Sequence, residues 1–186
     1  MITEEQKIAR SKGCGGSDIH NLTNELPYGC ERKLHYDKTG QEPNFPFIIT
    51  PPIKRGNALE QMVCDMYVEK TGRKLKKINL TLFNRNHPKA LGHVDRAIVG
   101  DDRGMGVFEA KTVGMWMDKK IQEEGIPNGY IYQLQWYMQD GWYYLDKNGK
   151  EKSVNFKWGA FGLLSIENWE ITEFDMDKDD DIIQSL

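Results

Sequence analysis

The sequence predicts an α/β (α+β) fold in which a β-sheet is flanked by helices, and three observations carry that expectation. Between residues 74 and 113, three segments alternate apolar and polar side chains and are separated by polar turns, as neighbouring strands do. Ahead of them Leu59, Met62, Val63, Met66 and Tyr67 recur at three- and four-residue spacing, the apolar stripe of a helix. Behind them residues 128–140 read as another helix, with Tyr130, Gln133 and Tyr137 on one face. At 186 residues the chain reads as one domain, 1–186, long enough for a substantial core.

Taken in order, residues 3–10 predict a short helix, with Thr3 and Gln6 spaced as a capping box. Gly13-Cys14-Gly15-Gly16-Ser17-Asp18-Ile19-His20 follows; its glycines allow close backbone approach, and Ser17 is placed to cap the next helix. Such a turn can take an anion, although a plain capped turn explains it as well. Tyr28 to Lys38 reads as a helix stopped by Gly40, and the proline-rich stretch 41–52 as extended or loop. The striped helix ends near Gly72. Three strands, 74–84, 90–99 and 105–113, then form an antiparallel meander. Helices at 115–124 and 128–140 precede a hairpin of Trp142 to Asp146 with Val154 to Ile166, turned at Asn148-Gly149. The acidic tail, from about 173, closes with a short helix or frays.

Composition narrows the class. With 39% hydrophobic and 28% charged residues the chain is neither disordered nor membrane-spanning, since no apolar run approaches the roughly 20 residues a membrane helix needs. The first residues lack the basic-then-apolar pattern of a signal peptide. Cys14, Cys30 and Cys64 form neither a disulfide framework nor a CxxC pair, which fits a reducing cytoplasm; Cys30 reads as a packing residue. The net charge of −3 is uneven: residues 173–181 hold six acids and one lysine, so the remainder carries +2. With the clusters Arg73-Lys74-Leu75-Lys76-Lys77 and Lys119-Lys120, that balance permits nucleic-acid binding without requiring it.

The chemistry gathers in Gly92-His93-Val94-Asp95 and, after a polar turn, Val107-Phe108-Glu109-Ala110-Lys111, read as two neighbouring strands. Alternation sends Glu109 and Lys111 to the same face. Two close carboxylates repel unless one is protonated or a divalent cation lies between them. Asp and Glu with a backbone carbonyl form an oxygen-rich set suited to Mg²⁺ or Mn²⁺ rather than zinc. With a lysine beside it and no nucleophilic Ser or Cys, the set points to metal-assisted phosphodiester hydrolysis; exposed charges on two strands are the plainer reading. On periodicity alone, Glu60 reads as a surface glutamate.

These residues resemble the PD-(D/E)XK nuclease motif, in the branch of the phage lambda-exonuclease and YqaJ-type viral recombinases. Gly15-Gly16-Ser17-Asp18-Ile19-His20-Asn21, Arg55-Gly56-Asn57-Ala58-Leu59-Glu60 and Tyr130-Ile131-Tyr132-Gln133-Leu134-Gln135-Trp136-Tyr137-Met138 stand in the family's order around the central motif. The resemblance implies a restriction-endonuclease-like core, a mixed central β-sheet flanked by helices. It implies Asp95, Glu109 and the Ala110 carbonyl as metal ligands, Lys111 as the catalytic lysine, Glu60 as the helical glutamate completing the acidic cluster, and Gln133 as a positioning residue, with Tyr130 a weaker companion. Arg10 and Ser17 would grip a DNA 5′-phosphate, and His93 is either a phosphate contact or packing. Val94 stands where the superfamily's name has proline, a position where many members vary.

The resemblance therefore implies a Mg²⁺-dependent deoxyribonuclease, with Mn²⁺ able to substitute, acting 5′ to 3′ on linear duplex ends in phage-type recombination. An endonuclease on the same fold and a non-catalytic DNA- or protein-binding module are the alternatives. A single-strand annealing protein is the implied partner, no membrane is involved, and a homo-oligomer is admitted. Relatives often add helices beyond the last strands, so the shorter C-terminus argues against the ring-shaped trimers some of them form. Three cysteines at the wrong spacing lead to the expectation of no iron–sulfur cluster.

Overall fold

A computed structural model describes residues 11–23, 29–41 and 48–186. The helix expected at 3–10, with Arg10, lies outside the described residues, as do Tyr28 and residues 42–47 of the proline-rich stretch. The elements are β1 (Cys14–Gly15), a 3₁₀ turn (Gly16–Asp18), α1 (Ile19–Thr23), α2 (Glu31–Thr39), α3 (Pro51–Thr71), β2 (Lys74–Lys77), β3 (Leu82–Asn84), β4 (Ala90–Gly92) and β5 (Arg96–Val99). They continue with β6 (Gly106–Val113), α4 (Met115–Glu124), α5 (Asn128–Tyr137), β7 (Trp142–Leu145), β8 (Glu151–Ser153), β9 (Trp158–Ser165), β10 (Ile171–Asp177) and α6 (Asp180–Ser185). No described helix is long and apolar enough to cross a membrane.

Two five-stranded sheets form, in the orders β10-β9-β6-β5-β2 and β1-β4-β3-β7-β8. The first is mixed: β6 runs antiparallel to β5 but parallel to β9 over its whole length, from Gly106 opposite Trp158 to Val113 opposite Ser165. Each of the expected strands 74–84 and 90–99 is therefore two strands in different sheets. β2 pairs with β5, and after residues 78–81 and 93–95 the same two arms pair again as β3 with β4. Ile78, Leu80 and Leu82 keep an even pattern in the sequence, yet Leu82 is fully buried and Leu80 exposed, so the pattern does not reveal where one sheet gives way to the other.

Other expectations change for similar reasons. The Asn148-Gly149 turn joins β7 to the short β8, whereas β9 crosses to the larger sheet. Pro51 and Pro52 open α3 rather than lying in loop: at the first helical positions the missing N–H is not needed and the fixed φ suits the helix. Gly40 and Gly72 adopt left-handed φ of 66° and 71° and stop α2 and α3, as expected. Ser17 is not a cap; it lies inside the 3₁₀ turn, and the Asp18 carboxylate accepts from the Gly15 N–H at 2.9 Å. Cys30 is exposed rather than packed, its Sγ accepting from the Lys33 N–H at the start of α2. The acidic tail begins as a strand, β10, paired antiparallel with β9, and closes with a short helix, α6, as the first of the two expectations had it. Arg73 donates to both oxygens of Asp175 at 2.7 Å, Arg103 reaches the same carboxylate at 3.0 Å, and Lys178 reaches Asp140 and Asp180. Pairing of this kind turns a repulsive run into an edge strand that like charges alone would not permit.

The larger sheet separates two apolar layers. Phe108, Ile98, Trp158, Ala160 and Leu164 pack with Val63, Cys64 and Tyr67 of α3 on one face, the Tyr67 and Phe108 rings 4.5 Å apart. Val107, Val113, Phe161 and Leu163 pack with Leu134 and Tyr137 of α5 and Ile121 of α4 on the other. Each fully buried side chain of this size contributes about 1.5–3 kcal/mol. Alternation along β6 then decides where its polar residues go. Glu109 and Lys111 share parity with Val107 and Val113, so they point into the layer formed by α5.

Candidate active site

Asp95 stands at the bend just before β5, not within a strand, and that bend makes room for its side chain. β5 pairs with β6 only as far as Arg96 opposite Phe108, so beyond Phe108 this edge of β6 has no strand partner. The Asp95 carboxylate fills the gap: its Oδ2 accepts from the Ala110 N–H at 2.9 Å. The Ala110 carbonyl points to the same open edge, because N–H and C=O of one strand residue share a side.

On the α5 face, Lys111 donates from Nζ to Glu109 Oε1 at 3.0 Å and to Gln133 Oε1 at 2.9 Å. Gln133 in turn donates from Nε2 to Glu109 Oε1 at 2.5 Å. The three side chains close a triangle, and the Tyr130 ring lies 5.2 Å from the ammonium. Burial weakens the Lys111 ammonium, but Glu109 and Asp95 outweigh it and hold its pKa above the ordinary value. Asp95 is pushed up to about 8, first by burial and then by the Glu109 charge, against the opposing pull of Lys111 and the Ala110 amide.

Glu109 Oε2 is buried with no hydrogen-bond partner. An orphaned carboxylate oxygen beside a second carboxylate that resists ionisation is what a divalent cation would relieve. Asp95, Glu109 and the Ala110 carbonyl thus fit a hard, oxygen-seeking metal. Glu60 does not complete a three-acid cluster, and among the described residues no group of three His, Cys, Asp or Glu is gathered. Instead Glu60 Oε1 accepts from Arg96 Nη1 at 2.7 Å, and the same nitrogen donates to the Asp95 backbone carbonyl at 2.6 Å. α3 is thereby tied to the bend that carries Asp95, and the Glu60 charge adds to the pressure on that carboxyl. Arg96 is 4% exposed; sequence reasoning missed it, although its place next to Asp95 on an otherwise apolar strand was a visible signal.

A cleft of about 290 Å³ opens onto this triangle, lined by Ser17, His20, Glu109, Lys111, Gly129, Tyr130 and Gln133. Ser17 is brought to the site through a close approach: a Cβ at Gly16 would lie 2.6 Å from Tyr137 Cζ, so only glycine lets the 3₁₀ turn sit on α5. His20, one turn later, shares this wall and was given no role from sequence. Burial lowers its pKa, Asp18 opposes this, and Lys111 lowers it further, so the imidazole favours its neutral form. His93 Nε2 meets Thr81 Oγ1 at 3.1 Å, and Tyr137 donates to the His93 carbonyl at 3.0 Å.

Comparison with known proteins places this geometry. The YqaJ-like viral recombinase domain family matches residues 7–139. The uncharacterized protein YqaJ of Bacillus subtilis (strain 168) is 31% identical over 138 residues, which is 74% of this chain and 42% of that protein's length. Among solved structures, the alkaline exonuclease LHK-Exo of Laribacter hongkongensis superimposes with a TM-score of 0.72 at 19% identity, covering 98% of this chain and 86% of the exonuclease. A phage-related exonuclease of Haemophilus somnus 129PT gives a TM-score of 0.56 at 14% identity, covering 92% and 87%. At such identities these structures speak to the fold, which is restriction-endonuclease-like as expected.

Proposed function

The chain belongs to the YqaJ-like viral recombinase domain family, and from that premise we propose that it is a metal-dependent DNA exonuclease, acting 5′ to 3′ on linear duplex ends in phage-type recombination. Residues 1–186 would form one nuclease domain, working in the bacterial or phage-infected cytoplasm. A single-strand annealing protein is the natural partner, and a homo-oligomer is compatible with the reading. The observation that carries the proposal is the Asp95, Glu109, Lys111 and Gln133 constellation at the open edge of β6, with its orphaned Glu109 oxygen.

Asp95, Glu109 and the Ala110 carbonyl would hold Mg²⁺, with Mn²⁺ able to replace it. Bound there, the ion supplies Lewis acidity toward a phosphoryl oxygen and makes water acidic enough to attack near neutral pH. Lys111 remains protonated, and its ammonium is aimed by Glu109 and Gln133. From that position it orients the attacking water and offsets the negative charge that grows on the phosphorane-like oxygens. Gln133 fixes the lysine and the glutamate relative to each other, and Glu60 acts through Arg96 on the Asp95 backbone. Ser17, with Arg10 from outside the described residues, would take the 5′-phosphate at the mouth of the cleft. These are requirements of phosphodiester hydrolysis rather than of simple binding, which favours an enzyme over a non-catalytic module.

The test is digestion of 5′-labelled linear duplex DNA, with closed circular plasmid in parallel. Loss of the linear duplex in Mg²⁺, protection by EDTA, inactivity of Lys111→Ala and survival of the plasmid are expected. Equal cutting of the plasmid would make the protein an endonuclease on the same fold. Retained DNA affinity with no product at any metal concentration would make it a binding module.

A further inference from the structure

α3 presents Leu59, Val63 and Tyr67 to the sheet at four-residue spacing, and Val63 and Tyr67 are fully buried. One step back along this row, where the periodicity calls for an apolar residue, stands Arg55. It is half-buried, and its Nε is enclosed with no hydrogen-bond acceptor. Other arginines of the structure are matched: Arg73, Arg85, Arg96 and Arg103 each meet a carboxylate, and Arg32 meets the Tyr36 hydroxyl. The Arg55 side chain makes no hydrogen bond or ion pair among the described residues. A charged donor enclosed without an acceptor is destabilising, so an arginine here departs from what folding alone would favour.

Its location gives the departure a purpose. At the next residue, Gly56, an added Cβ would lie 3.9 Å from Thr112 Oγ1, so this turn of α3 rides against β6 one residue beyond Lys111. One turn further along the helix, Glu60 is tied through Arg96 to Asp95. Arg55 therefore stands on the α3 side of the strand that carries Glu109 and Lys111, opposite the wall formed by Ser17 and His20.

We propose that Arg55 is a substrate contact that grips a backbone phosphate of the DNA strand passing on the α3 side of the candidate active site. The inference rests on the nuclease reading above. A guanidinium offers paired donors in a fork that matches the non-bridging phosphate oxygens, and a polyanionic strand would bring to Arg55 an acceptor that the described residues do not supply. The contact would act on binding rather than on the chemical step.

The experiment is steady-state digestion of 5′-labelled linear duplex in Mg²⁺ across a salt series, comparing wild type with Arg55→Ala, Arg55→Met and Arg55→Lys. Arg55→Met keeps a long apolar stem, so it reports on the lost charge even if Arg55→Ala packs badly. Loss of the cation should raise KM about 10- to 100-fold, as expected for a charged hydrogen bond. It should leave kcat within about twofold and flatten the slope of log(kcat/KM) against log[salt] by about 0.9. Tm should stay level or rise, because the unmatched donor is gone. Arg55→Lys should restore the salt slope and only part of KM. An unchanged KM and slope in Arg55→Met, with wild type still digesting DNA, would overturn the role of Arg55 and leave the nuclease reading intact. The same holds for a fall confined to kcat. Failure of the wild type to digest any DNA would remove the nuclease reading and this inference together.

Discussion

Gln133 holds Glu109 by a 2.5 Å hydrogen bond from Nε2, while its own Oε1 accepts from Lys111 at 2.9 Å. A single amide thus fixes both the anion and the cation of the candidate site, each through the atom of matching polarity. Gln133→Ala is expected to lower the single-turnover rate on linear duplex by about 10²-fold through misplacement of Lys111. KM should hardly change. Gln133→Glu should be worse, because it sets a third carboxylate against Glu109; an equal or faster rate would refute the positioning role.

Lys111→Ala removes the cation aimed at the charge that develops in the reaction. The expected loss in kcat is about 10²–10³-fold, the range seen when one such donor is deleted. Substrate affinity, measured by fluorescence anisotropy with a labelled duplex, should be nearly retained.

Without a cation, burial and the Glu109 charge make ionisation of Asp95 costly. Asp95→Asn is therefore expected to keep the fold and to melt no lower than wild type in EDTA. Wild type should gain Tm on adding Mg²⁺, by about 2.7 kcal/mol of stability at a hundredfold excess over Kd. Asp95→Asn should not gain. Differential scanning calorimetry reads both; equal Mg²⁺ gains in the two proteins would argue against this ligand set.

Asp175 ties β10 to Arg73 and Arg103. Burial raises its pKa, but the hydrogen bonds from the two arginines prevail and hold it below the ordinary carboxylate value. The stabilisation is therefore present above a pH of about 4 and fades as pH falls through the depressed native value. Asp175→Asn should melt below wild type at pH 7, and the two curves should converge in acid. A constant gap down to pH 2 would mean that the contribution is packing rather than charge.

Gly16 lets the 3₁₀ turn rest on Tyr137. Gly16→Ala would place Cβ 2.6 Å from Tyr137 Cζ and force the ring or the turn to move. The expected cost is about 1–3 kcal/mol. Digestion should slow as well, because Ser17 and His20 leave the cleft wall; wild-type rate and Tm together would contradict this.

Much of the site could be read from the sequence because it rests on local alternation. Two residues apart on one strand, Glu109 and Lys111 had to share a face, and the helical spacing of Tyr130 and Gln133 placed them together as well. Depth and angle were not legible. Nothing in the sequence distinguishes a Glu60 that joins the acids from one that pairs with Arg96, since Asp95 and Arg96 are adjacent. The split of 74–84 and 90–99 between sheets escaped because Ile78, Leu80 and Leu82 spell an unbroken alternation, although Leu80 is exposed where Leu82 is buried. The acidic segment concealed β10, because its charge is balanced by Arg73 and Arg103, residues about 100 and 70 positions away.

The parallel pairing of β6 with β9 also governs when the site can exist during synthesis. Lys111 lies opposite Leu163, so the strand bearing the acid and the lysine has an open flank until a much later segment has been made. At about 5–20 residues per second, the roughly fifty intervening residues take from a few seconds to about ten to emerge. A nascent chain carrying all of Asp95, Glu109 and Lys111 then still lacks the strand that pairs with β6 along its whole length. On the proposed reading, cutting power would appear late, in one step with β9, and nearby DNA would be spared until the sheet closes.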